Sequence, residues 1–282
     1  MVENMEKNRI IELFKKNKDN KKKYFMPFLV AGDPNIEQFK SLALAIEPHC
    51  DILEIGIPFS DPIADGPTIQ EANIRAFAAG INTILALEAI KEIRTKTEKP
   101  IVILTYYNIL IQGGNTIEDS LDKTFNNLKE SGVDGIVIGD LPIEEADLAL
   151  KACEKHDICL IFLIAPSTTE DRLQKIIKVA KGFIYLISVM GITGARESVA
   201  QITKNTIKRV KLKTKKVIPV FVGFGISKSE HASAIVEAGA DGIIIGSAIV
   251  KIVKEYLEDL KKMVVKMVEF TSNIKDAVKE LN

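Results

Sequence analysis

The run DILEIGIPFSDPIADGPTIQ, Asp51 to Gln70, carries three carboxylates of unequal setting. Glu54 sits inside an apolar, β-rich segment, and Asp61 and Asp65 follow in a loop stiffened by Pro58, Pro62 and Pro67. Strand alternation puts Ile52, Glu54 and Gly56 on one face and the aliphatic Leu53, Ile55 and Ile57 on the other. If the aliphatic face meets helices, Glu54 points into the interior of the sheet. A carboxylate there loses hydration, its pKa is expected to rise, and it can hold and release a proton near neutrality. The competing explanation is a structural glutamate tied to backbone or to a buried arginine. None of the β-rich runs contains Lys or Arg, which weighs against the ion pair. Asp61 and Asp65 each suit a turn or helix cap as well as a site, and spacing does not choose between them.

A second signal concerns anions. FVGFGIS (Phe221–Ser227) and GIIIGSAIV (Gly242–Val250) each end a β-rich run in glycine, and the second leads straight into a helical pattern. Gly225, Gly246 and Ser247 could present backbone N–H groups to a phosphate, as helix starts do. GITGARES, Gly191 to Ser198, is a glycine-bearing polar loop suited to a lid, with Gly194 a further N–H donor.

The elements that must position these groups are eight β-rich runs: Tyr24–Gly32, Asp51–Pro58, Ile101–Tyr107, Gly135–Asp140, Cys159–Pro166, Phe183–Ser188, Val220–Ile226 and Gly242–Ser247. Helical periods lie between them, for example from Ile36, Thr83 and Ser120. Strand then helix eight times predicts an α/β fold, a single (β/α)8 barrel spanning 1–282, with an amphipathic N-terminal helix, IIELFKK, over its lower face. An open doubly wound sheet would carry G-x-G-x-x-G after its first strand, where this chain has VAGDPN. In a barrel the chemistry comes from the C-terminal strand ends. That rule adds Asp33, Tyr106, Tyr107, Asn108, Asp140, Tyr185 and Ser188 to the candidates.

Composition narrows the chemistry. The 282 residues hold 38 Lys plus Arg against 38 Asp plus Glu, a balance that argues against a nucleic-acid surface. No strand end offers Lys for a Schiff base, and the three histidines (His49, His156 and His231) fall away from the expected site. No metal site is indicated. The three cysteines show no paired spacing and the N-terminus has no signal-peptide core, so a cytoplasmic protein is expected. Acid–base chemistry by carboxylates on a phosphorylated substrate remains.

The segments MPFLVAGDP, LEIGIPFSDPIADGPTIQ, GDLPIEE, YLISVMGITGARE and VGFGIS…GADGIIIGSAIV, in this order from Pro27 to Val250, resemble the tryptophan synthase α subunit family. The resemblance implies a retro-aldol cleavage of indole-3-glycerol phosphate to indole and glyceraldehyde 3-phosphate. It implies Glu54 as the acid–base group, Asp65 as the carboxylate at the indole N–H, and Tyr185 as a helping residue. Phe28, Leu104, Tyr106, Leu163 and Phe224 fall where the family lines its indole pocket, and Gly194, Gly225, Gly246 and Ser247 where it binds phosphate. Asp61 and Pro62 match a loop that signals to the partner. That partner is the β subunit, which carries pyridoxal phosphate in an αββα heterotetramer, so no cofactor is expected in this chain. A stand-alone lyase and a non-catalytic activator of the β protein are the alternative readings. Val189-Met190 stands where many members have Arg-Ser, a difference that bears on closure of the loop after strand six.

Overall fold

The structure, a computed structural model, describes residues 8–18, 22–187, 196–215, 217–223, 225 and 228–279. Each of the eight β-rich runs yields strand: β1 (Tyr24–Val30), β2 (Leu53–Gly56), β3 (Ile101–Thr105), β4 (Gly135–Ile138), β5 (Cys159–Ile161) with β6 (Leu163–Ile164), β7 (Ile184–Ile187), β8 (Val220–Gly223) and β9 (Gly242–Ile245). The fifth run gives two strands because it breaks at Phe162. All pairings are parallel, in the order β5-β4-β3-β2-β1-β9-β8-β7-β6. The two ends of the sheet are therefore the two halves of one strand, and the sheet curls into a nearly closed barrel. Phe162 spans the break, its carbonyl accepting the Tyr185 N–H at 3.1 Å.

The alternation read from the sequence holds in space. Ile52, Val102, Val137, Ile161, Tyr185, Phe221 and Ile244 form one buried cluster within the barrel. Leu53, Ile55, Ile103, Ile136, Leu186 and Val222 join the other cluster, shared with the surrounding helices. The helices begin where side-chain caps dictate: Asn35 caps Ile36–Ile46 and Asn82 caps Thr83–Arg94, each accepting a first-turn N–H. The third runs Ile117–Glu130, three residues before the apolar period becomes clear, because Thr116 supplies its cap.

The N-terminal helix, Arg9–Lys16, closes the lower mouth. Ile10 is fully buried within the interior cluster, and the Phe14 ring lies 5.1 Å from that of Tyr24 and 5.9 Å from that of Phe221. Asn8 donates to the carbonyls of Asp134 and Asp157 at 2.8 and 2.9 Å, while Arg9 and Arg94 both bond the Asp134 carboxylate. The C-terminal helix, Leu260–Lys279, is fixed by buried Lys275, which donates to Asp51. Asp51 also accepts the Phe25 N–H and pairs with Lys22. Among the described residues no helix is long and apolar enough to cross a membrane.

Candidate active site

Glu54 lies in the middle of β2, level with Phe28 of β1 and Val102 of β3. Its residue is 1% exposed, and among the described residues neither carboxylate oxygen has a hydrogen-bond partner. Burial, reinforced by the charge of Asp65, pushes its pKa up to about 8. An orphaned buried carboxylate costs stability, so its retention here points to a chemical task rather than a structural one.

Gly56, two residues on, makes the space above it. A Cβ at this position would lie 2.6 Å from Cζ of Phe28, so the aromatic ring occupies the volume that any larger residue would need. Phe28 thereby leans across the mouth beside Glu54, with Leu104 of β3 opposite Gly56 in the register. Leu104 and Leu163 are half-buried and belong to the margin of the interior cluster.

Asp65 is half-buried in the loop that follows β2. Its N–H donates to the Pro62 carbonyl at 3.0 Å, and Gln70 Nε2 donates to its carbonyl at 2.9 Å. Pro67 then starts the helix Pro67–Ala78, fixing φ where no N–H is needed. Burial raises the Asp65 carboxyl to about 6, while hydrogen bonds from the Tyr106 and Asn73 side chains hold it from going higher. Tyr106 is 1% exposed, stacks on Phe59 with centroids 4.8 Å apart, and stays protonated because burial and the neighbouring Asp65 charge raise its pKa. Two carboxylates thus share one mouth, with ionisations set apart by environment: Asp65 ionised and Glu54 protonated near pH 7.

Tyr185 of β7 stands level with Leu163 and Phe221 and is buried. Burial and then the charges of Glu54 and Asp65 keep its hydroxyl protonated, which makes it a hydrogen-bond donor throughout the physiological range. On the far side of the mouth Gly246 is the N-cap of the helix Ser247–Glu255, with no side-chain cap bond among the described residues, so its first N–H groups have no partner within the helix and suit an anion. Gly225 has φ +74°, a left-handed conformation that glycine adopts without strain. Gly194, Phe224 and Ser188 lie outside the described residues, as do Val189 and Met190.

The other candidates have different surroundings. Asp61 is exposed and accepts from the Ser60 hydroxyl, while Pro62 is half-buried and holds Asp65 through its carbonyl. Asp140 accepts the Tyr107 N–H at 2.8 Å, and Tyr107 and Asn108 belong to the short helix Tyr107–Leu110. Asp33 is ion-paired with Arg75. Sequence reasoning missed Asn73 and Phe59, whose partners come from loops and helices that only the fold brings together.

A family model described as "Tryptophan synthase alpha chain" matches residues 14–279. The chain belongs to the tryptophan synthase alpha chain family. The alpha chain of Methanocaldococcus jannaschii is 49% identical over 252 residues, which is 89% of this chain and 86% of that one. The alpha chain of Methanothermobacter thermautotrophicus is 44% identical, covering 90% and 91%. Among solved structures, tryptophan synthase subunit alpha from Legionella pneumophila superposes with a TM-score of 0.86 at 33% identity, over 97% of this chain and 99% of its own. As a tryptophan synthase alpha chain the protein is a lyase of tryptophan biosynthesis built on a TIM barrel.

Proposed function

We propose that the site between β2 and the helix Pro67–Ala78 cleaves indole-3-glycerol phosphate, with Glu54 as the single proton-transfer group. The observation that carries this reading is the Glu54 carboxyl, buried, unpartnered and protonated at neutrality. Protonated Glu54 delivers its proton to C3 of the indole ring, which turns the ring nitrogen into an electron sink. Ionised Asp65 accepts the indole N–H and stabilises the positive charge that develops there. The Glu54 carboxylate then takes the proton of the adjacent side-chain hydroxyl. The bond between that carbon and C3 breaks, its electrons return to the ring, and an aldehyde leaves. Glu54 ends protonated as it began, so the cycle balances without a lysine or a metal.

Phe28, Leu104, Tyr106, Leu163 and Phe224 enclose the ring in this scheme, and Tyr185 donates a hydrogen bond near the reacting carbon. Gly194, Gly225, Gly246 and Ser247 hold the phosphate, leaving the reacting bond over Glu54. The whole of 1–282 then works as one domain in the cytoplasm, needing no cofactor of its own. Indole passes to a β subunit carrying pyridoxal phosphate in an αββα assembly, and Asp61 and Pro62 report the state of the site to it. A solved tryptophan synthase complex from Pyrococcus furiosus, whose matching chain is 35% identical with a TM-score of 0.75 over 89% of this chain and 98% of its own, supports such a partner.

The test is indole release from indole-3-glycerol phosphate by wild type and Glu54→Gln, each alone and with β subunit. We expect slow release alone, faster release with β subunit, and a loss of about 100-fold or more in the variant. A Glu54→Gln protein with near-wild-type rates would remove the mechanism. Turnover indifferent to β subunit would favour a stand-alone lyase.

A further inference from the structure

Asp33 follows β1 in the turn that leads to the helix Ile36–Ile46, and Arg75 lies in the last turn of the helix Pro67–Ala78. Arg75 Nε and Nη2 donate to Oδ1 and Oδ2 of Asp33, each at 2.8 Å, in a fork-on-fork pair. Asp33 is 3% exposed and the Arg75 side chain 19%, so both charges are largely out of water. Just beyond the helix, Ile81 packs on the Gly32 backbone of the same turn, a Cβ there falling 2.9 Å from that side chain.

The pair touches the very helix whose N-terminus begins two residues after Asp65, whose Gln70 donates from Nε2 to the Asp65 carbonyl at 2.9 Å, and whose buried Asn73 favours the ionised Asp65 carboxylate. The buried apolar residues of this helix are Ile69, Ala72 and Ala76. Two of the three are alanines, whose shallow surface resists rotation and axial sliding poorly, whereas a bidentate guanidinium–carboxylate pair is directional in both. Stability is a weak reason for the pair. Burial outweighs Arg75 and leaves Asp33 above its ordinary range, so the attraction does not offset the desolvation. A second link from this helix, Glu71 to Lys254 at 2.7 Å, is about half exposed on both sides and holds it only loosely.

We propose that the Asp33–Arg75 pair is a positioning device for the reaction: it fixes the rotation and register of the helix Pro67–Ala78, and through Gln70 and Asn73 the placement of Asp65. This rests on the reading of Asp65 as the group that meets the indole N–H. Asp33 and Arg75 themselves need not touch substrate. Because a misplacement of ~1 Å in a reacting constellation costs on the order of 100-fold, loosening the helix should act on turnover more than on binding.

The experiment measures indole release from indole-3-glycerol phosphate by the full chain with β subunit, across pH, with thermal melts of each variant. Arg75→Lys keeps the charge but loses the fork. The double variant Asp33→Asn/Arg75→Gln removes both charges, so that no buried charge is left unpaired if a single change fails to fold. Both should lower kcat by about 10-fold or more with KM changed less than about threefold. The acid limb of kcat should move to higher pH, as in Asn73→Ala, because Asp65 loses a hydrogen bond that favours its ionised form. Folded variants with wild-type kcat and an unmoved acid limb, differing only in melting temperature or KM, would overturn the proposal. That outcome is distinct from failure of the proposed function, which would appear as no indole from wild type or full turnover by Asp65→Asn and would take this inference with it.

Discussion

The hydroxyl oxygen of Tyr106, just beyond β3, accepts the N–H of Ala64 at 3.1 Å, one residue before Asp65. One phenol thus anchors the backbone of the loop after β2 and favours the ionised Asp65 carboxylate beside it, with its ring held against Phe59. Tyr106→Phe keeps the stack and removes both polar links. Asp65 should then titrate above about 6, moving the acid limb of the rate profile upward, and the fold should lose about 1 kcal/mol. Kinetics across pH and a urea melt measure the two effects separately.

The rate profile of wild type should be a bell. In the proposed mechanism turnover needs Asp65 ionised and Glu54 protonated, so kcat should rise through about 6 and fall through about 8. Steady-state kcat at saturating substrate tests this, and a rate flat from pH 5 to 9 would contradict it (limits of roughly this range follow from the same two groups).

Glu54 should also make stability depend on pH. Its pKa is about 8 when folded against an ordinary 4.5. Below the lower value both states carry the proton and the group is silent. Between the two values the unfolded state ionises and the folded state does not, so stability falls as pH rises, by about 1.4 kcal/mol per unit of the interval. Above the upper value the loss is complete. Glu54→Gln should therefore be more stable than wild type at pH 8 by a few kcal/mol (on the order of the integrated shift) and nearly equal to it at pH 4. Denaturant titrations at both pH values provide the comparison.

Gly56→Ala tests the packing of the mouth. The new methyl would sit 2.6 Å from the Phe28 ring and force it aside. A cost of about 1 to 3 kcal/mol in stability is expected from overpacking. A displaced Phe28 should show as a raised KM. The double variant Gly56→Ala/Phe28→Leu should recover part of both, which a cycle of melts and KM values measures.

At the opposite end, Lys275→Ala leaves Asp51 buried without its closest cation. Burial raises the Asp51 pKa, but Lys275, the Phe25 N–H and Lys22 together hold it below the ordinary carboxylate range. Loss of about 3 kcal/mol or more is expected, whereas Asp51→Asn/Lys275→Met should be milder because no charge is stranded. Activity per folded molecule should not change, since the pair is on the N-terminal face.

The period-two alternation of Ile52, Glu54 and Gly56 was legible because a strand with one aliphatic face admits only one orientation. The eight runs were legible for a different reason, being covered on both faces by apolar residues. Asp61 and Asp65 were not separable by spacing. What distinguishes them is the approach of Tyr106 from β3 and of Asn73 from the next helix, contacts that no local pattern encodes. The Asp33–Arg75 pair is hidden for a similar reason, since the β-rich runs carry no arginine and this one reaches in from a helix. The break at Phe162 was also invisible, because CLIFLIAP is uniformly apolar across it.

That break divides the labour of the barrel. Strands β1 to β5 form one continuous arc and supply Phe28, Glu54 and Tyr106, while β6 to β9 form the other and supply Tyr185 and the start of the helix at Ser247. The arcs meet at two seams, Phe162 and the β1–β9 pairing of Tyr24 with Gly242. In the proposed function, proton chemistry therefore resides on one arc and anchoring of the anion on the other. A substrate held as proposed therefore bridges the β1–β9 pairing, so turnover depends on the register of that pairing as well as on Glu54.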